Sequence, residues 1–152
     1  MAPLFLDGRT SQNASTLNSI LIPTTSSYVL FGQVGLIVTA ANESIPIRAQ
    51  LNGIITLKLS SSASNFANFV EIKIVRGTDP NATAVFSGIA TLIANGDELG
   101  PQEYSFAVAD FNAPKGTGLL VYSVFVRNTT GNSEADVTRV GPESFNVIAI
   151  GN

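Results

Sequence analysis

From Tyr28 onward the chain alternates between β-branched and aromatic runs of about 6–10 residues and clusters of Gly, Pro, Asn and Asp, the pattern of a sandwich or barrel. In "GIITLKLS", Ile55, Leu57 and Leu59 share one face while Thr56 and Lys58 share the other, because successive side chains of a strand point to opposite sides. "FVEIKIVRG" repeats this with Val70, Ile72 and Ile74 against Glu71 and Lys73. Strands are predicted over 28–38, 45–51, 54–60, 69–76, 84–92, 104–111, 119–128 and 144–150, and no stretch carries helical periodicity. Leu51, Asn52 and Gly53 read as an Asn-Gly hairpin turn between the second and third of these. "GLLVYSVFV" and "FNVIAIG" are apolar on both faces, which calls for cover on both sides, from a second layer or a neighbouring subunit. About eight strands with several long end loops predict an all-β, two-sheet jelly-roll sandwich. The nearest rival is a seven-stranded immunoglobulin-like sandwich, whose cysteine and tryptophan marks are missing.

The opening of the chain differs. "MAPLFLDG" is a short apolar tip, residues 9–19 are polar, and "ILIP" resumes apolar character before "TTSS" leads into the domain. This divides the chain into a flexible arm or connector over 1–27 and a jelly-roll domain over 28–152. Ala2, Pro3, Leu4, Phe5 and Leu6 could dock in a groove on a second subunit; the plainer possibilities are a loose terminus or an edge strand folded back on its own domain. Each large apolar side chain contributes roughly 1.5–3 kcal/mol when buried. Ordering costs about 1–2 kcal/mol per residue. A single arm therefore binds weakly, and many arms in an assembly reinforce one another.

Composition narrows the chemistry. Histidine, cysteine and tryptophan are absent, which removes histidine- and cysteine-based nucleophiles, disulfides and ordinary zinc, haem and iron–sulfur sites. No motif with a catalytic mechanism is present, so the chain reads as a non-enzyme without a cofactor. Charged residues make up 12 % of the chain, about half of the roughly 25 % usual in soluble domains, while mean hydropathy is +0.29. Ser, Thr and Asn supply most of the polarity, and an uncharged surface of that kind repels its neighbours weakly. Net charge is −3 and the eight Lys and Arg are scattered, leaving no footprint for nucleic acid. There is no apolar stretch long enough to span a membrane and no visible signal peptide. Asp97 and Glu98, or Glu134 and Asp136, are weak calcium candidates without the spacing of a known calcium loop. Phe66, Phe69, Phe111, Tyr122 and Phe125 offer material for a sugar platform, although packing is the commoner use of such rings. Sequons at Asn13, Asn42, Asn81 and Asn128 follow from an Asn- and Thr-rich composition.

The eight-strand pattern, the strand "GLLVYSVFVRN" and the closing "GPESFNVIAIG" resemble the C-terminal heads of bacterial collagen-like spore-surface proteins, of the complement and tumour necrosis factor-like jelly-roll class. The likeness covers about residues 28–152; the Gly-X-Y stalk is missing and a short arm stands in its place, as in fibre-forming endospore-appendage relatives. The resemblance implies a homotrimer or fibre on the extracellular spore surface, with self and other spore-surface proteins as partners. Phe69, Leu120, Tyr122, Val124, Phe125, Ile148 and Ile150 are then the candidates for subunit packing. The functional expectation is a self-assembling structural subunit of a spore- or cell-surface layer or fibre; the alternative is a ligand- or glycan-binding head.

Overall fold

The computed structural model of the chain describes residues 2–60, 63, 66–94, 100–129 and 136–151. Among them run nine strands and no helix: β1 (Leu4–Ala14), β2 (Ile22–Pro23), β3 (Val29–Ile37), β4 (Ile47–Leu59), β5 (Ala67–Arg76), β6 (Ala84–Ile93), β7 (Gln102–Ala113), β8 (Leu119–Asn128) and β9 (Val137–Gly151). They form two antiparallel sheets, β1-β9-β4-β7 with β2 also against β9, and β3-β8-β5-β6. Apart from the β5–β6 hairpin and β1 and β2, which both lie beside β9, successive strands cross from one sheet to the other, which is the winding of a jelly roll. The alternating faces of "GIITLKLS" and "FVEIKIVRG" meet between the sheets. There Phe106 sits among Phe31, Phe86 and Phe145 with ring centroids 6.1–6.5 Å apart.

Three boundaries differ from the sequence reading. Residues 45–51 and 54–60 are not two strands joined by a turn; β4 runs straight through Asn52–Gly53. Glycine is required there because a Cβ would lie 2.5 Å from both the Phe106 ring and the Ser144 carbonyl oxygen, so the Asn-Gly pair marks close packing and not a hairpin. The last strand starts at Val137, well before residue 144. The opening of the chain, expected as an arm, forms β1 and pairs with β9 from Leu4↔Gly151 to Ala14↔Glu143. It follows the edge-strand alternative: Leu6 packs on the core while Leu4 and Phe5 stay exposed.

β1 also fastens the two sheets along one side of the sandwich. Asp7 Oδ2 accepts the Ile37 N–H at 2.8 Å and Ser11 Oγ accepts the Gln33 N–H at 3.2 Å, both from the facing strand β3. The carboxyl pKa of Asp7 is lowered, chiefly by that Ile37 bond.

At the far end of β1, β9 bulges: Ile55 faces Glu143 and Leu57 faces Arg139, so the segment between them loops out of register. Gly141 holds this bulge at φ 82, where a Cβ would strike the Thr16 carbonyl at 2.7 Å. The bulge turns Arg139 and Glu143 toward each other inside the protein, 2 % and 0 % exposed. Arg139 Nε donates to Glu143 Oε2 at 2.9 Å, its Nη2 donates to Oε1, and Asn13 of β1 donates to the same oxygen at 2.5 Å. The Arg139 guanidinium also lies 5.9 Å from the Phe31 ring. Removing one partner of such a pair strands a buried charge, whereas removing both leaves an apolar site. Arg139→Met is therefore expected to lower the unfolding free energy by about 3–5 kcal/mol in urea titrations, and the double change Arg139→Met/Glu143→Leu to recover most of that loss. Equal losses in the two proteins would show that charge burial is not the cause.

Candidate functional site

The sandwich has two outer faces with different chemistry. On the β3-β8-β5-β6 sheet, charge is present and paired. Glu71 on β5 accepts from Arg127 Nε at 2.7 Å, from Ser87 Oγ at 3.0 Å and from the Tyr28 hydroxyl at 3.1 Å. The Tyr28 ring in turn carries the Arg127 guanidinium 4.2 Å and the Lys73 ammonium 5.2 Å from its centroid, within cation–π range. Phe125 lies beneath this cluster, edge-on to Tyr28 at 6.2 Å.

The outer face of the β1-β9-β4-β7 sheet is built otherwise. Its registers place Gly8, Ile148, Gln50 and Ala109 in one cross-strand row, Thr10, Asn146, Asn52 and Ala107 in the next, and Gln12, Ser144, Ile54 and Ser105 in a third. No charged residue occupies any of the three rows. Asn146 donates to Asn52 at 3.0 Å at their centre, and a shallow depression of about 340 Å³ opens between Asn52, Ile54, Ser105 and Ser144. Beside the rows is a corner of exposed apolar side chains, bordered by Arg48 of β4 opposite Ile150. Phe5 stands opposite Ile150, and Phe5 and Ile148 both approach Gly8, 3.5 and 3.8 Å from where its Cβ would be. Phe5 is 64 % exposed and Ile148 42 %.

These faces sort the residues singled out from sequence. Phe5 from the tip and Ile148 and Ile150 from the last strand, separated by the length of the chain, come together in that corner. Leu4 is exposed beside them, and Ala2 and Pro3 precede β1 on the surface. Leu120, Tyr122 and Val124 do not join them: they point inward and belong to the protomer's own core. The doubly apolar strand 119–128 is covered in part within one molecule: its inner face fills the core and Phe125 on its outer face is buried against Tyr28, while Leu119 stays exposed beside Ile37. Phe69 is half-exposed on the opposite sheet, away from the corner. Asp97, Glu98 and Glu134 lie outside the described residues. Asn128 is buried, with its side-chain amide donating to the Thr24 carbonyl at 3.1 Å, so that sequon is a structural asparagine.

A third ionic cluster also escaped the sequence reading. Arg76 at the end of β5 donates Nε and Nη2 to the two carboxylate oxygens of Asp110 on β7, each at 2.6 Å, and the buried Tyr122 hydroxyl donates to Asp110 at 2.8 Å. The only sequence signal was an Asp at an inward position of a strand, which has to be paired to be tolerated. Burial alone would raise the Asp110 carboxyl, but the bonds from Arg76, Tyr122 and the Asn112 N–H outweigh it and the pKa falls below the ordinary value. Glu71 behaves alike: desolvation raises it, and Arg127, Ser87 and Tyr28 bring it down. Burial, reinforced by the neighbouring Asp110 carboxylate, pushes the Tyr122 hydroxyl strongly upward.

The folded chain is a jelly-roll β-sandwich by its strand order. No protein-family model matches it, and neither does any curated protein. Among solved structures it is similar to that of Turnip Yellow Mosaic Virus at 100 K, at 10 % identity and TM-score 0.35, over 95 % of this chain and 92 % of that one. It is also similar to Eiger TNF from S. frugiperda, at 13 % identity and TM-score 0.38, over 95 % and 91 % of the two chains. A third is the structure described as "CBM4 structure and function", at 11 % identity and TM-score 0.28, over 99 % and 94 %. At such distances it is the topology itself that assigns the fold.

The lowered carboxyl pKa values set the acid response. The folded state holds protons on Glu71 and Asp110 less readily than the unfolded chain, so their contribution is complete above the ordinary carboxylate range of about 4 and is lost as pH falls through the folded values. Urea midpoints measured from neutral pH down to about 2 are expected to fall less steeply in Glu71→Gln/Asp110→Asn than in the wild type. Parallel acid limbs would contradict this assignment.

Proposed function

We propose that this chain is a structural jelly-roll subunit that associates with copies of itself through the outer face of the β1-β9-β4-β7 sheet, building a layer or fibre at a spore or cell surface. The observation that carries the reading is the three charge-free cross-strand rows beside the Phe5, Ile148 and Ile150 corner. Burying a charge against a partner is costly, and the three rows carry none; Arg48, opposite Ile150, lies at their margin. Asn, Gln, Ser and Thr each donate and accept, so a face made of them is complementary to a second copy of itself; such an isologous contact closes as a pair, and extending pairs into a layer or fibre takes a further contact elsewhere on the subunit. The small side chains Gly8, Ala107, Ala109, Ser105 and Ser144 let a second sheet approach to about 10 Å, the usual stacking distance. The surface location and the trimeric or fibrous form rest on the resemblance to spore-surface heads. In this reading the N-terminal residues contribute through Phe5 at the contact.

Sedimentation velocity over a wide concentration range, with electron microscopy of the concentrated sample, tests the contact. The wild type is expected to associate with rising concentration. Asn146→Lys and Ile148→Lys each place a charge opposite its own copy and are expected to weaken association by at least about tenfold, since like-charge juxtaposition costs several kcal/mol. A wild type that stays monomeric throughout would remove the proposal, as would variants that associate like the wild type.

A further inference from the structure

At the side of the sandwich away from β1, where the ends of β5 and β7 meet the start of β6, Arg76, Thr83, Asp110, Phe111 and Asn112 line an open pocket of about 480 Å³. This volume lies within the range of small-molecule sites, roughly 300–1,000 Å³. Three strands cooperate to fix one group in it. Asp110, almost fully buried, takes both forks of Arg76, the hydroxyl of the wholly buried Tyr122 and the Asn112 N–H at 3.3 Å. Its oxygens are therefore occupied, and the guanidinium is clamped along its Nε–Nη2 edge. Nη1, which Asp110 does not engage, sits on a side chain that remains 40 % exposed. A buried ion pair adds little to stability by itself, but it can hold a donor in one orientation at a pocket mouth.

The remaining lining selects among ligand classes. Asp110 cancels the Arg76 charge and no other charged residue lines the pocket, so a free anion gains little. An apolar ligand would strip water from the guanidinium without replacing its bonds. Phe111 offers a ring that is 65 % exposed, while the Asn112 amide and the Thr83 hydroxyl can both donate and accept. A sugar matches this set, with its C–H face on the ring and its hydroxyls on the polar groups. We propose that this pocket binds a neutral saccharide unit, stacked on Phe111 and held by Arg76, with Asp110 and Tyr122 as positioning residues. The pocket adjoins the charge-free face at Ala109 and is distinct from its centre, so the binding does not depend on self-association.

The test is a titration of the isotope-labelled full chain with glucose, galactose, N-acetylglucosamine and rhamnose, and separately with glucuronate and acetate, followed by backbone amide shifts. At least one neutral sugar is expected to give saturable shifts at residues 82–85 and 109–112. Phe111→Ala, a change at an exposed ring, and Arg76→Lys, which keeps the charge and loses the fork, are each expected to weaken that binding by about tenfold. Thermal unfolding of both variants checks that they remain folded. Three results would overturn the proposal. No neutral sugar shifts these amides up to about 0.1 M, a hundred times a millimolar Kd; glucuronate or acetate shifts them and neutral sugars do not; or Phe111→Ala weakens self-association and leaves sugar binding intact.

Discussion

A strand through the middle of a sheet must have its backbone N–H and C=O groups paired along both edges, and in β9 that demand runs from Val137 to Gly151. β4 meets it on one side; on the other, β2 pairs at Thr138 and Arg139, and β1 takes over from Glu143 onward. The bulge between those stretches is where Gly141 adopts a positive φ and where Arg139 and Glu143 meet. From the need to cover one strand follow the placement of the first residues, the buried ion pair that Asn13 completes, and the closure of one side of the sandwich through Asp7 and Ser11. On the opposite side the sheets are less closely joined, by such contacts as the Tyr104 hydroxyl donating to the Thr91 carbonyl at 2.8 Å.

The same constraint separates what could be read in the sequence from what could not. Strands with strict alternation, such as Phe69–Arg76, were legible because their pattern reports burial directly. β1 was not: Gly8, Arg9, Thr10, Ser11 and Gln12 carry neither alternation nor β-branched density, and they are strand because β9 offers an open edge. Asn52–Gly53 misled for a related reason, since a dipeptide that favours a turn locally also suits a site where a ring and a carbonyl crowd the backbone. Among the residues picked from the two doubly apolar strands, Ile148 and Ile150 turn outward while Leu120, Tyr122 and Val124 turn inward, and the apolar pattern did not distinguish the two sets. In a strand apolar on both faces, composition does not say which face fills the core.

The unequal treatment of the two outer faces is harder to attribute to folding. Both sheets need water-compatible outer surfaces, and the β3-β8-β5-β6 sheet meets that need with Glu71, Lys73 and Arg127 around Tyr28. Over its three central rows the β1-β9-β4-β7 sheet uses amides, hydroxyls and alanines instead, with Arg48, Lys58 and Glu103 beyond them, although charged residues on exposed strands are an ordinary guard against unwanted association. Leaving out that guard over three consecutive rows, and placing Phe5 and Ile148 beside them, has a physical consequence only when another surface comes close.

Two of the ionic networks show how position in the fold decides what similar chemistry can do. Arg139 with Glu143 and Arg76 with Asp110 are both two-pronged pairs, each supported by one further side chain, Asn13 in the first and Tyr122 in the second. The first lies on the side sealed by β1, and its guanidinium, closed in beside the Phe31 ring, serves the interior alone. The second lies where the edge strands part, so one end of the guanidinium faces solvent beside an exposed ring. An ion pair adds little to stability whether sealed or open, and an apolar replacement would serve folding as well in either place. What differs is that only the open one presents unused donors in a fixed direction. Recognition groups gather at strand ends supported by a rigid sandwich because there the scaffold can fix a polar group without enclosing it.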